Sequence, residues 1–364
     1  MERLLITLIL VCTMNNITNA QNPFYGQYHT PHEAVPFDRI ETEHYEPAIL
    51  EGIKLQNAEI EAIIQNPEKA DFTNTIEAFD ESGELLDRVV AVFGNMLSAE
   101  TNDDLQELAQ KIMPLLSEHS NNITLNEKLF ARVKEVYNQK EALQLTQEQK
   151  QLLENAYNSF VRHGANLEGE AREEYRRLTT ELSKLTLTFS ENNLKETNAY
   201  QMLLTKKESL AGLPEIIIEA AAETAKSEGK EGWAFTLHAP SYIPFMTYSD
   251  NRDLRQKLYM AYNTKCTHDN EFNNIDIVKK IANTRMKIAQ LLGYKDYAEY
   301  TLKKRMAENS KSVYKLLNQL LEAYTPTAQQ EYKEIQAIFR TMTGTVSRFA
   351  SSAACFRRCP EMIS

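Results

Sequence analysis

The sequence predicts a mainly α-helical protein, a large multi-helix domain with a small β-element set into it. Glycine and proline number only 11 each among 364 residues, whereas residues that favour helices are abundant. Apolar residues recur at three- and four-residue spacing along most of the chain, as on the buried face of a helix. Charged residues make up 25% and hydrophobic residues 42%, a composition typical of globular proteins. The chain is long enough to bury a large core.

The first twenty residues have the pattern of a secretory signal peptide. Arg3 precedes an apolar run from Leu4 to Cys12, and Thr18–Asn19–Ala20 offers small residues before a predicted cleavage near Ala20. The run is short for a bilayer span. We therefore expect export, to a bacterial periplasm. A mitochondrial presequence or an uncleaved anchor is the alternative.

The segment that follows opens with an irregular strap containing Phe24 and several prolines, predicted to pack over a helical body. Glu46–Pro47 is then the predicted first turn of a helix that ends at Asn66–Pro67. Asp71–Glu77 leads into a second helix that carries Phe79 through Phe93 on its apolar side.

Capping residues predict the next helix starts, at Asn102, at Asn126, and at Thr146 with Gln149 as a capping box. The stretch from Glu168 to Asn193 is dense in charged residues, with leucines at helical spacing. It predicts one long amphipathic helix with a solvated charged face and no catalytic role for its carboxylates.

A β-element is predicted next, because the pattern changes at Asn198. Tyr200–Leu204 and Trp233–Leu237 have strand character, and an alanine-rich helix from Glu215 to Ala225 separates them. Gly229 and Gly232 flank a turn before the second strand.

Three helices are predicted between residues 241 and 310. The first opens near Asp250, and its apolar face carries Leu254, Leu258, Ala261 and Tyr262. The second has Val278, Ile281, Ala282, Ala289 and Leu292 on one face and ends at Gly293. The third begins at a capping box of Asp296 and Glu299.

Beyond residue 310, Val313 to Tyr324 forms another helical face, Pro326 interrupts it, and a last helix runs from Thr327 to Arg340. From Thr343 the sequence has no helical period, no lysine and two of the four cysteines. We interpret this tail as aberrant, with an out-of-frame origin as the hypothesis. The predicted division is 1–20 signal, 21–197 helical domain, 198–245 β/α insert, 246–342 start of a further domain and 343–364 tail.

The sequence contains no complete catalytic or metal-binding motif. The zinc motif His-Glu-x-x-His has a single partial match at His32, where Pro36 stands in place of the second histidine. His29 and His32 have no third ligand, and Cys266 with His268 and Asp269 is interpreted as a loop beside a helix start. No catalytic, cofactor-binding or metal-binding residue is assigned. The net charge of −11 argues against nucleic acid as a partner.

A family resemblance is carried by several stretches in one order. These are Asn22–Pro23–Phe24, Pro36–Ile40, Tyr45–Ala48, Asn74–Ala78, Phe160–Ala165, Gly212–Pro214, Tyr248–Tyr262 and Leu291–Tyr294. With them the chain resembles the zinc oligopeptidases of the thimet oligopeptidase, oligopeptidase A and peptidyl-dipeptidase group, the M3 metallopeptidases. The likeness runs from Asn22 to Met342 and is strongest to an exported peptidyl-dipeptidase.

The resemblance implies the N-terminal half of a two-half helical fold around a channel. It further implies a monomeric zinc peptidase that releases C-terminal dipeptides from short oligopeptides. The family's zinc motif lies C-terminal to the matched region, so no zinc ligand is carried over, and we expect this chain to be inactive alone. The alternatives are a non-catalytic helical module that binds peptides or a partner, and a gene remnant.

Overall fold

The computed structural model of the chain describes residues 22–343. The predicted signal peptide and residues 344–364 of the predicted tail lie outside the described residues, whereas Thr343 is the last residue of a helix. The described part of the chain is mainly helical with a small two-stranded sheet, so the predicted fold class is confirmed.

The principal helices, in chain order, are α1 Thr42–Gln65, α2 Glu84–Ala99, α3 Asp103–Thr124, α4 Glu127–Asn138, α5 Gln147–Arg162, α6 Gly169–Ala199, α7 Glu215–Ser227, α8 Ala239–Tyr248, α9 Arg252–Asn263, α10 Ile275–Leu291, α11 Tyr297–Leu302 and α12 Ser310–Thr343. The strands are β1 Gln201–Leu204, before α7, and β2 Trp233–Thr236, after it. Among the described residues, no helix combines the length and apolarity needed to cross a membrane.

The chain forms two compact units. The first comprises the described residues up to Leu187 together with Lys287–Gly293, and the second comprises Thr188–Met286 and the residues from Tyr294 onward. The predicted domain limits are not tested by this division and stay a prediction.

The first unit is built around aromatic side chains. Phe160 on α5 is buried and lies 5.3 Å from Phe79 and 5.7 Å from Phe130, measured between ring centroids. In a neighbouring cluster, Phe24 of the N-terminal strap is fully buried against Tyr45. The strap therefore packs on the helical body, as its aromatic residue predicts.

Local capping sets the helix starts of this unit. The side chains of Asn102, Asn126 and Thr146 each accept a hydrogen bond from a backbone N–H of the following turn, and Gln149 completes the capping box with Thr146. The three predicted starts are confirmed. The first backbone N–H groups of a helix have no partner inside the helix, and a capping side chain satisfies them. Capping residues therefore predict helix starts from the sequence alone.

Two predicted boundaries in this unit are wrong. Helix α1 begins at Thr42, so Pro47 lies inside it, where the buried Tyr45, Ala48 and Ile49 hold the helix in place despite one lost hydrogen bond. The helix predicted through Phe79 is broken before α2, because Gly83 adopts a left-handed backbone with φ of 84°.

The second unit contains the predicted β-element. Strands β1 and β2 pair antiparallel, with Met202 opposite Phe235, and α7 connects them as predicted. Met202, Phe235 and Phe245 are buried in one apolar cluster beneath the sheet. At the entrance to β2, Gly232 has φ of 113° and passes close to the Leu204 carbonyl, which explains the glycine there.

The helices α9, α10 and α11 lie where the sequence places them. Asn251, rather than Asp250, caps α9, and Gly293 ends α10 with φ of 83°. The predicted apolar face of α10 is partly wrong, since Val278 is 49% exposed, whereas Ile281 is buried.

The last described helix differs most from its prediction. Pro326 does not interrupt it, and α12 runs unbroken from Ser310 to Thr343. Pro326 has no N–H to donate to the Glu322 carbonyl, but the side chains around that carbonyl are exposed, so the lost bond is cheap at the surface.

Candidate functional site

A cleft of about 460 Å³ opens in the second unit. It lies between the last turns of α6, the residue that follows β2, and the loop that joins α9 to α10. Its lining residues are Glu196, Tyr200, Leu237, Met260, Ala261, Thr264, Thr267 and His268. Leu237, Met260 and Ala261 give an apolar floor, and the other side chains are polar. This mixture is typical of sites that bind small ligands or peptide side chains.

The α9–α10 loop is tied to α6 by specific hydrogen bonds. Buried Asn274 donates from its amide to the Phe189 carbonyl at 2.9 Å and accepts from Asn192 at 3.0 Å. Lys265 donates to the Thr197 hydroxyl at 3.1 Å. These bonds hold the loop in one position against the end of α6.

Glu196 is the centre of the polar side of the cleft. Its carboxylate accepts hydrogen bonds from the backbone N–H of Cys266 and from Nδ1 of His268, the latter at 2.7 Å. Burial alone would raise the pKa of the Glu196 carboxyl, but the hydrogen bonds from His268 and Cys266 outweigh burial. They hold that pKa below its usual value.

His268 is fixed on its other side by Thr264. The Thr264 hydroxyl donates to the Met260 carbonyl at 2.7 Å, so toward His268 Nε2, 3.2 Å away, it presents a lone pair. Both ring nitrogens of His268 thus face acceptors, Glu196 on one side and Thr264 on the other. These two contacts fix the orientation of the imidazole ring at the edge of the cleft.

Cys266 lies beside Glu196 and His268, but its surroundings are not those of a catalytic nucleophile. It is buried, and its backbone is in the left-handed region with φ of 58°. Burial, together with the Glu196 carboxylate, raises the pKa of the Cys266 thiol to about 11. At neutral pH the thiol is therefore protonated, whereas a catalytic cysteine acts as the thiolate.

We expect this thiol to make stability fall in alkaline solution. The folded-state pKa lies above the ordinary thiol value of 9.0, so the stabilisation is present below about pH 9 and is lost as pH rises toward about 11. Urea unfolding at pH 8 and pH 10.5 should show wild type losing stability relative to Cys266→Ala. Equal losses of stability in the two proteins would contradict the raised pKa of Cys266. Tyrosines that titrate in the same pH range are present in both proteins, so the comparison with Cys266→Ala removes their contribution.

Tyr200 contributes another polar group to the cleft. The Tyr200 hydroxyl is buried and has no hydrogen-bond partner among the described residues. A buried hydroxyl without a partner costs free energy, which a bound ligand with a donor or acceptor would recover. Burial also raises the pKa of this phenol, so the group stays neutral in the physiological range.

The sequence predicts no site residue, and from the sequence Cys266, His268 and Asp269 are expected in a loop. The structure places them in a loop and adds Glu196, which is 72 residues before His268. The spacing of residues along the sequence does not predict a contact between two residues so far apart. Among residues 22–343, no three side chains of His, Cys, Asp or Glu are grouped so that they could hold a metal ion.

Several peptidases are similar to this chain. Residues 245–349 match peptidase family M3. Dipeptidyl carboxypeptidase of Escherichia coli strain K12 is 34% identical over 327 residues, which are 90% of this chain and 48% of that protein. Oligopeptidase A of Haemophilus influenzae is 32% identical over 305 residues, 83% of this chain and 45% of the relative. The chain is a relative of the M3 peptidases.

The resemblance to the M3 peptidases expected from the sequence is therefore confirmed. The chain spans about half the length of the curated relatives it matches. The M3 match covers α9 to α12 and includes the Met260–His268 side of the cleft. M3 peptidases are generally zinc enzymes. The described residues do not fit a zinc ion, since they bring no three suitable ligands together.

Proposed function

We propose that this chain is part of a metallopeptidase that hydrolyses short oligopeptides and releases dipeptides from their C-termini. The observation that carries this proposal is the 34% identity to a dipeptidyl carboxypeptidase over 90% of the chain. The oligopeptidase A relatives support the same substrate class.

In this proposal the chain supplies one helical half of a two-half fold around a channel that admits oligopeptides. It works as a monomer in the bacterial periplasm, after removal of the signal peptide. The catalytic zinc is held by residues other than those described, because no set of three ligands converges among them. In this proposal the chain alone does not cleave peptides.

A second candidate is a non-catalytic module that binds peptides. It is favoured by the cleft, which combines apolar side chains with the unpartnered Tyr200 hydroxyl, and by the neighbouring Cys266 thiol, which is protonated and therefore not a nucleophile. The two candidates differ in one measurable property, since only the peptidase breaks a peptide bond.

The test uses a quenched fluorescent peptide with a free C-terminal carboxylate and, as a control, the same peptide with a C-terminal amide. The 364-residue chain is assayed alone and joined to the half of the E. coli relative that it does not match, with and without a chelator. We expect chelator-sensitive cleavage of the free acid by the joined protein only.

Cleavage by the chain alone, with about one zinc per chain, would overturn its proposed inactivity. An intact, folded joined protein without cleavage would overturn the peptidase proposal. Binding of the uncleaved peptide to the chain alone, weakened in Tyr200→Phe, would favour the binding module, because that variant removes only the hydroxyl.

A further inference from the structure

The polar side of the cleft is rich in hydrogen-bond acceptors. We call Glu196, Thr264 and Thr267 the acceptor wall. The Thr264 hydroxyl donates its proton to the Met260 carbonyl at 2.7 Å, and the Thr267 hydroxyl donates its proton to the Thr264 carbonyl at 2.7 Å. A hydroxyl has one proton and two lone pairs, so what these two threonines have left for a ligand is lone pairs.

The strongest acceptor of the wall is the Glu196 carboxylate. Despite burial, the hydrogen bonds from His268 and Cys266 hold the pKa of this carboxyl below its usual value, so it is ionised at neutral pH. The Cys266 N–H bonds to one carboxylate oxygen and His268 bonds to the other. Each oxygen has a second lone pair, so both keep capacity to accept from a ligand.

The negative charge of Glu196 has no permanent positive partner in the described part of the chain. The side chain is only 12% exposed, and the basic group that pairs with it is His268, which is cationic only when protonated. Lys265 donates to the Thr197 hydroxyl instead, and its ammonium lies 4.6 Å from the centre of the Tyr262 ring. Because mostly buried charges in proteins are paired, a carboxylate in this position attracts a cation from solution.

The same cleft is poorly suited to an anion. Among residues 22–343, no lysine or arginine lines it. Both ring nitrogens of His268 are already engaged, by Glu196 and by Thr264. A carboxylate or phosphate ligand would therefore meet the negative charge of Glu196 and find few donors to bind it.

The remaining lining indicates an apolar body attached to the cation. Leu237, Met260 and Ala261 form the apolar side of the cleft. Tyr200 adds an aromatic ring, and aromatic rings attract cations that lie over their faces. The volume of about 460 Å³ lies within the range of roughly 300–1,000 Å³ that is usual for small-ligand sites.

We propose that this cleft is a binding site for a primary ammonium group carried on an apolar body. The three N–H donors of the ammonium bond to the acceptor wall, and the apolar body lies against Leu237, Met260 and Ala261. The group belongs to a free amine or to the amino terminus of a peptide with an apolar first residue. This inference rests on the second candidate function, binding at the cleft, and names the group that the cleft selects.

A series of three small probes tests the selectivity on the 364-residue chain. Saturation-transfer nuclear magnetic resonance compares n-hexylammonium with hexan-1-ol and hexanoate, which have the same number of carbons. We expect hexylammonium to bind at least tenfold more tightly than either of the others. Equal binding of hexylammonium and hexan-1-ol would overturn the proposal, as would tighter binding of hexanoate or no binding of any probe.

A matched pair of variants locates the binding. Glu196→Gln removes the charge and keeps an oxygen that accepts from the Cys266 N–H. Glu219→Gln removes the same charge from an exposed position on α7, outside the cleft. This control is needed because a chain with a net charge of −11 gathers cations at its surface. We expect hexylammonium to bind at least tenfold more weakly to Glu196→Gln and as in wild type to Glu219→Gln. Equal effects of the two variants would contradict the proposed site.

A second pair of variants leaves Glu196 and its hydrogen bonds intact. Met260 is about half exposed and lines the cleft, so Met260→Lys places a tethered ammonium there without disturbing the fold. Tyr259→Lys places the same charge on the preceding residue, which is equally exposed and lies outside the lining. We expect hexylammonium binding to fall at least tenfold in Met260→Lys and to persist in Tyr259→Lys. Undiminished binding to Met260→Lys would overturn the proposal.

A short peptide distinguishes the two sources of the ammonium group. The probe is leucyl-alanyl-alanine amide, with its N-acetylated form as the control, each added in competition with hexylammonium. Competition by the free peptide only assigns the site to peptide amino termini, whereas no competition by either form assigns it to free amines. Equal competition by both forms would overturn the proposal, because the ammonium would then not matter.

These measurements involve no hydrolysis, so they separate this inference from the peptidase proposal. Hexylammonium binding by the chain, without peptide cleavage by the joined protein, removes the peptidase activity and leaves the ammonium site. Cleavage by the joined protein, without hexylammonium binding by the chain, removes the ammonium site and leaves the activity.

Discussion

Phe160→Ala should destabilise the first unit by about 3–5 kcal/mol, the range measured for removal of a large buried aromatic side chain. Phe160 is 1% exposed and packs between Phe79 and Phe130, so its loss leaves a cavity that these two aromatic rings cannot refill. Urea unfolding followed by far-ultraviolet circular dichroism measures the change in the free energy of unfolding, because α1 to α5 contribute much of the helical signal.

The control for this prediction is Phe37→Ala, which removes the same atoms from a side chain that is 51% exposed. We expect a change below about 1 kcal/mol, since surface substitutions rarely cost more. Similar losses in both variants would show that the cost comes from general loss of apolar area rather than from the Phe160 cluster.

Gly212→Ala should destabilise the second unit by at least about 2 kcal/mol, since an alanine with left-handed backbone already costs about 1–2 kcal/mol. Gly212 has φ of 87°, and a Cβ there would lie 2.4 Å from the Tyr248 carbonyl oxygen and 2.9 Å from the Asp250 nitrogen. Relief of these contacts would strain the 2.8 Å hydrogen bond from the Asp250 N–H to the Ala211 carbonyl.

Fluorescence of Trp233, the single tryptophan, reports this unit directly, because that residue lies in β2. The matched control is Gly94→Ala, at a helical glycine with open space around the added methyl group. Gly94 lies in the first unit, so this control is followed by far-ultraviolet circular dichroism, and it should stabilise that unit by about 0.5–1 kcal/mol, because alanine favours the helix. A Gly212→Ala protein as stable as wild type would contradict the predicted clash.

Sequence reasoning succeeds where the determining interaction is local. Asn102, Asn126 and Thr146 each bond to a backbone N–H within three residues, so the letters themselves identify the helix starts. The β-element follows the same logic, since strand character and glycine turns occur within one short stretch. The long α6 helix needs only a repeated spacing of leucines.

Sequence reasoning fails where tertiary packing overrides a local rule. The proline at position 47 predicts the first turn of a helix, but α1 begins earlier. The burial of neighbouring side chains on α1 stabilises the helix by more than the hydrogen bond that Pro47 cannot make. Val278 has helical spacing and is nevertheless half exposed, because periodicity shows that a face is apolar and does not show whether anything packs against it.

The sequence alone determined the helical class, most helix starts, the β-element and the resemblance to the M3 peptidases. These depend on local bonds, residue spacing and matched stretches, all of which are written in the order of the residues. Only the tertiary structure decided that Glu196 meets His268 and Cys266 across some seventy residues, and that the apolar face of α12 has no cover among the described residues. Both are properties of how separate elements pack, and no periodicity along one segment records which surface lies opposite it.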